Sequence, residues 1–132
     1  MSSELTKPEP FPSSLGPFEQ LRLAREIIST EANALTNLAG NLPKTFVEAV
    51  TAVSQCQGNL IVIGMGKAGL IGQKLVATFA STGTPAHFLH PAEAVHGDLG
   101  RVQSRDVVLL MSYSGETEEV TRLLSSLAEL DV

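Results

Sequence analysis

A single cysteine, Cys56, stands in the 132-residue sequence, so no internal disulfide can brace the fold, and a lone reduced thiol suits a cytosolic protein. Charge is also scarce: Asp, Glu, Lys and Arg make up 17% of the residues, the formal net charge is -5, and the basic residues are scattered without a run. That balance excludes the basic face with which proteins bind duplex nucleic acid non-specifically. No apolar stretch reaches the roughly 20 residues that a membrane span needs. The opening segment, MSSELTKPEPFPSSLG, is rich in Pro and Ser and has no basic stretch leading into an apolar one. It reads as an extended or disordered lead-in over residues 1–16, not as a signal peptide. Neither repeats nor low-complexity tracts occur.

What is present is apolar. At 43% hydrophobic, the chain has enough material for one domain with a core, and more than a small soluble domain with so few charges needs. The excess implies a large partner surface, or a missing half that covers part of it. Apolar residues at three- and four-residue steps (Leu21, Ala24, Ile28, Ala32, Leu35, Leu38, Leu42) predict a helix over 17–42. A second helix is expected over 43–57, with Phe46, Val47, Val50 and Val53 on its apolar side and Gly58 after its end. Together these form a helical arm that packs on the domain or pairs with another subunit.

From residue 59 the pattern changes to strands alternating with helices. Residues 60–63 read as a buried strand and 69–82 as a helix with Ile71, Leu75 and Phe79 on one face. Residues 86–89 read as a second strand, and 107–111 as a third that is central by its unbroken apolar run. A last helix covers 116–130, with Val120, Leu123, Leu124, Leu127 and Leu130 along one side. That order gives an α/β domain with a parallel sheet and right-handed crossovers. A three-stranded parallel sheet leaves its outer strands half covered, so residues 59–132 are expected to be the first half of a longer domain.

Two loops carry chemistry. Gly64-Met65-Gly66-Lys67-Ala68-Gly69 follows the first strand and matches the Gly-x-Gly-x-x-Gly fingerprint of dinucleotide domains. The acid that such a domain places about 20 residues on, to hold a ribose, is displaced: position 90 is His, and the first acid is Glu93, after a proline. The nicotinamide reading weakens without disappearing. Lys67 is the wrong sign for a helix N-terminus, which is explained if a ligand anion or a carboxylate balances it.

The second loop follows the third strand, where Ser112, Ser114, Gly115 and Thr117 open a helix. Hydroxyls, backbone amides and a helix N-terminus together suit the outer oxygens of a phosphate monoester. A simple N-cap is the alternative for Ser114 or Thr117 taken singly. The Walker spacing is absent. Glu116, Glu118 and Glu119 follow; acid there is ordinary dipole compensation, yet one carboxylate beside an anchored substrate can act as a base. Between these loops, His90, Glu93, His96 and Asp98 lie within nine positions of a long connection. They show no recognised metal-ligand spacing, and the connection is expected to cross the mouth of the site.

The strings GMGKAG, FASTGTPAHFLHPAEAVHGDLG and SYSGETEE together resemble the sugar isomerase (SIS) family, nearest its arabinose-5-phosphate isomerase branch. The resemblance is close over residues 60–132 and loose over the helical arm. It implies a flavodoxin-like doubly wound parallel sheet, here truncated to about three strands and preceded by the arm. It also implies isomerisation of D-arabinose 5-phosphate to and from D-ribulose 5-phosphate in the cytoplasm, with no cofactor and no metal, in a homo-dimer or homo-tetramer, and a link to lipopolysaccharide biosynthesis. By the same resemblance, Ser112, Ser114 and Thr117 hold the phosphate, and Lys67, Glu119 and His96 are catalytic. Gly64, Gly66, Glu93 and Asp98 shape the substrate-binding loops. Ala68 and Leu70 depart from the family's frequent Ser and His. The rival implication is a non-catalytic phosphosugar-binding or regulatory module of the same fold; an oligomerisation-only remnant is the third reading.

Overall fold

The computed structural model describes residues 15–132; the lead-in expected over residues 1–16 falls almost wholly outside them. The described chain divides between Pro43 and Lys44 into two units. The first is the helix α1, Pro17–Gly40, which begins with Pro17 at its first position, where a missing N–H costs nothing. None of its residues is buried, and Phe18, Leu21, Ile28, Leu35 and Leu38 are exposed.

The second unit begins with α2, Thr45–Ser54, and continues with β1, Leu60–Gly64; α3, Gly66–Ser81; and β2, Ala86–Leu89. It ends with α4, Pro91–Val95; a 3-10 turn, Asp98–Arg101; β3, Val107–Met111; and α5, Glu118–Glu129. The sheet order is β2-β1-β3, all parallel, with Leu60 opposite both Ala86 and Val107. β1 is therefore the central strand, and all five of its residues are buried. The run 107–111, expected to be central, lies at an edge of the described sheet, with Leu109 exposed. None of its residues is fully buried, so the unbroken apolar run marks a strand without saying which strands flank it.

Alternate residues of the strands feed two cores. Leu60, Val62 and Ala86 pack with Val76 and Phe79 of α3 and with Val53 of α2. Ile61, Ile63 and Leu89 pack with Ala94 of α4 and with Leu123 and Leu127 of α5. Helices thus cover both faces, the doubly wound arrangement. Each fully buried aliphatic side chain, such as Leu60, Ile63 or Leu123, contributes about 1.5–3 kcal/mol.

Three details differ from the periodicity reading. α3 starts at Gly66, not at residue 69, and presents Gly69 and Gly72 to the sheet while Ile71 turns outward. A side chain at Gly69 would place its Cβ 2.8 Å from the Gly64 carbonyl oxygen, so helix and strand meet more closely than any other residue allows. α5 starts at Glu118, not at Glu116, and buries Val120, Leu123 and Leu127 while Leu124 and Leu130 face outward. The long connection is not one open loop. His90 accepts the Ala92 N–H at Nδ1 (3.2 Å) to cap α4, and Pro91 is buried at the helix start.

At the amino ends of β1 and β3, Asp106 closes the sheet. Its Oδ1 accepts the Asn59 N–H (2.8 Å) and its Oδ2 the Gln103 N–H (2.8 Å). Burial pushes the Asp106 carboxyl up, but those two backbone donors and the Asn59 amide outweigh it and hold the group below its ordinary value of 3.8.

Candidate functional site

The opposite, carboxyl ends of β1 and β3 stand open. Between them lies a cleft of about 850 Å³, the kind of position where open parallel sheets bind ligands. One wall comes from the β1–α3 turn: Met65, Lys67, Ala68 and Ile71. The other comes from the end of β3 and the loop after it: Leu110, Met111, Ser112, Tyr113, Ser114 and Thr117. Four of the residues singled out in the sequence, Lys67, Ser112, Ser114 and Thr117, are therefore brought together across the strand ends.

The hydroxyl loop is held by its own side chains. Ser112 Oγ and Thr117 Oγ1 share a hydrogen bond of 2.7 Å, and Ser112 Oγ also accepts the Gly115 N–H at 3.0 Å. Ser114 Oγ accepts the Glu116 N–H at 3.1 Å. Gly115, at φ 73°, takes the left-handed turn that lets the loop double back on Ser112. Thr117 occupies the N-cap position of α5 yet makes no side-chain cap bond. The simple capping role therefore does not describe Thr117: its hydroxyl is spent across the loop. That leaves the Glu118 and Glu119 amides of α5 without a capping side chain, while the Val120 N–H bonds to the Thr117 carbonyl.

Charge around this loop is uneven. Glu118 pairs with Arg122 one turn further along α5, which occupies that carboxylate on the helix surface. Lys67 is exposed in the first turn of α3 and is the one cation among the described residues lining the cleft. A lysine there faces the positive end of the α3 dipole, and an anion in the cleft would satisfy both.

The other expected site residues stand elsewhere. Glu119 is exposed in the first turn of α5, two positions past Thr117, and is not among the residues lining the cleft. His96, at the C-cap of α4, and Glu93, within α4, are exposed, while Asp98 pairs with Arg101 at 3.5 Å in the 3-10 turn. Gly64 and Gly66 flank Met65 and set the backbone of the first wall rather than lining it. Among the described residues, no three His, Cys, Asp or Glu side chains come close enough to hold a metal ion.

Sequence reasoning missed the apolar part of the cleft: Met65, Ile71, Leu110 and Met111, with Tyr113 at its edge. Ile71 follows the helical stripe and so reads as core. Only the Gly69 and Gly72 pair, which claims the sheet-facing side of α3, signals that it turns elsewhere.

Known proteins are similar to this chain in sequence and fold. The SIS domain family matches residues 54–132. A Haemophilus influenzae protein described as "Probable arabinose 5-phosphate isomerase" is 51% identical over 107 residues, covering 81% of this chain and 32% of its own length. The arabinose 5-phosphate isomerase GutQ of Salmonella typhi is 46% identical over 112 residues, covering 85% of this chain and 35% of its own length. The chain thus spans about a third of the length of these curated relatives. Among solved structures, a putative sugar-phosphate isomerase from Listeria monocytogenes superposes with a TM-score of 0.82 at 31% identity, over 89% of this chain and 62% of that one. A ligand complex of an E. coli CFT073 protein superposes equally well, with a TM-score of 0.82 at 41% identity, over 88% of this chain and 62% of that one. With the family match over the whole sheet-bearing region and the fold and cleft described above, the chain belongs to the SIS domain family.

Proposed function

We propose that the protein carrying this chain interconverts an aldose phosphate and a ketose phosphate, D-arabinose 5-phosphate and D-ribulose 5-phosphate, through an enediol(ate). The observation that carries the proposal is the single cleft that joins Lys67 to the Ser112, Ser114 and Thr117 hydroxyls at the strand ends. Similarity to arabinose 5-phosphate isomerases supports the choice of sugar.

The phosphate sits in the hydroxyl loop. Its oxygens accept from Ser112, Ser114 and Thr117 and from the uncapped amides of α5, taking over acceptor positions that the serines now fill for Gly115 and Glu116. Binding energy from this remote group positions the reacting carbons. A base moves the proton between C1 and C2 while a cation steadies the oxyanion that develops on the neighbouring oxygen. Lys67 supplies the cation, and Glu119 serves as base or proton shuttle. His96, Glu93 and Asp98 contribute from the α4 connection, which the same reading brings to the mouth of the site. The exposed apolar side of α1 suits a homo-dimer or homo-tetramer.

The test is an isomerisation assay of the protein carrying this chain with several pentose and hexose phosphates, alongside its Lys67→Ala and Glu119→Gln variants. Turnover of D-arabinose 5-phosphate that falls steeply in both variants is expected. Phosphosugar binding without turnover in the parent would replace the proposal with a binding module. Near-normal turnover in both variants would remove the residue roles.

A further inference from the structure

Tyr113 is the sole tyrosine in a sequence without tryptophan, and it stands between the two serines of the hydroxyl loop. Tyr113 is fully exposed while it lines the cleft. One exposed aromatic on a surface is ordinary; one on a fixed support at the mouth of a cleft is different. The backbone around it is held by the Ser112–Thr117, Gly115–Ser112 and Glu116–Ser114 hydrogen bonds, and a phosphate that accepts from the same amides would hold it in their place. Its ring therefore swings on two side-chain torsions from a fixed base, a small entropy cost for covering a ligand. Across the cleft the other wall offers Met65, Ala68 and Ile71, with Ile71 56% exposed. Among the described residues, Lys67 is the one polar side chain on the Ile71 side of the cleft.

We infer that Tyr113 is a specificity-determining residue of this site: its ring covers the carbon chain of a phosphorylated sugar anchored in the hydroxyl loop, pressing it toward Met65 and Ile71. The inference rests on the function proposed above. The extended carbon chain of an open sugar presents C–H groups that an aromatic face covers well. The phosphate, held by Ser112, Ser114 and Thr117, gains nothing from the ring. Tyr113 thus separates binding of the sugar from binding of the anion alone.

The experiment compares the parent protein with Tyr113→Ala and Tyr113→Phe. It measures KM and kcat for D-arabinose 5-phosphate, and Kd for that sugar and for inorganic phosphate. Tyr113→Ala is expected to raise KM and the sugar's Kd about five- to tenfold, the scale of one lost aromatic contact. It leaves kcat within about threefold and phosphate binding unchanged, because only the carbon chain loses its cover. Tyr113→Phe, which keeps the ring, restores the sugar's Kd to within about twofold. An unchanged KM in Tyr113→Ala overturns the inference, as does an equal loss of phosphate binding, which would mean that the ring merely props the loop. A parent protein without turnover is a failure of the proposed reaction, visible in its own arm. In that event the ratio of sugar Kd to phosphate Kd in the variants still decides the role of Tyr113, and an unchanged ratio rejects it.

Discussion

The same two strands, β1 and β3, end in opposite ways. At their amino ends Asp106 is buried and both its oxygens are occupied by the backbone N–H groups of Asn59 and Gln103. At their carboxyl ends Ser112, Ser114 and Thr117 also bond to their own loop, yet they line an open cleft beside Lys67. Both ends use side chains to satisfy backbone donors. The difference lies in what remains: the carboxylate is buried with a backbone donor on each oxygen, whereas Ser114 and one member of the Ser112–Thr117 pair still have a hydroxyl proton to donate. A saturated polar group holds a fold together, and an unsaturated one can hold a ligand.

Variants at the two ends should separate activity from stability. The largest effect is expected from Lys67→Ala at the open end. On the role proposed for Lys67, removing the cation that steadies the oxyanion costs about 100- to 1,000-fold in turnover, and the melting temperature should hardly move because Lys67 is exposed. A large fall in melting temperature would instead make Lys67 part of the frame.

Asp106→Ala at the sealed end comes next, with the opposite signature. It orphans two backbone N–H groups and should cost about 1–3 kcal/mol of stability by denaturant titration, with the sugar's KM unchanged. Asp106 also sets a pH dependence. Its pKa is lowered in the folded state, so its contribution is complete above its ordinary value of 3.8. It is lost as the pH falls through the lower folded value. The parent should therefore lose stability faster than Asp106→Asn as the pH falls below the ordinary value of 3.8, and parallel acid curves would remove that role.

A smaller change is expected from Thr117→Val, which removes the Ser112–Thr117 bond. Stability should shift by about 0.5–1.5 kcal/mol, and inorganic phosphate should bind several-fold more weakly; unaltered phosphate binding would detach the hydroxyl from the anion. The smallest is Arg122→Ala. Its pair with Glu118 is exposed on both sides, so the change should stay within about 0.5 kcal/mol.

Strands were the most legible part of the sequence. β2 and β3 fall on the residues their apolar runs mark, and β1 extends one residue further, to Gly64. Helix starts were less so. α3 begins at Gly66 because the glycines that look like a loop also permit close helix packing, and periodicity cannot separate those uses. Strand order was hidden as well, since the apolar run of β3 does not encode its neighbours. In the cleft, residues with distinctive chemistry announced themselves: Lys67, Ser112, Ser114 and Thr117 are polar where a strand has just ended. The apolar wall did not, because Met65, Ile71 and Met111 look like core until the fold shows which side they face. Glu119 is singled out among three acids by family resemblance, and His96 by the chemistry of its loop as well; neither is among the residues lining the cleft.

The most direct measurement is an amide NMR titration of the protein carrying this chain with D-arabinose 5-phosphate. The amides of Gly115, Glu116, Glu118 and Glu119, together with Lys67 and Ala68, should shift as the sugar saturates. Those of Asn59 and Gln103, bonded to Asp106, should stay still. A saturating titration that leaves residues 112–119 unmoved, or that moves the Asp106 end instead, would contradict the assignment of the ligand to the hydroxyl loop.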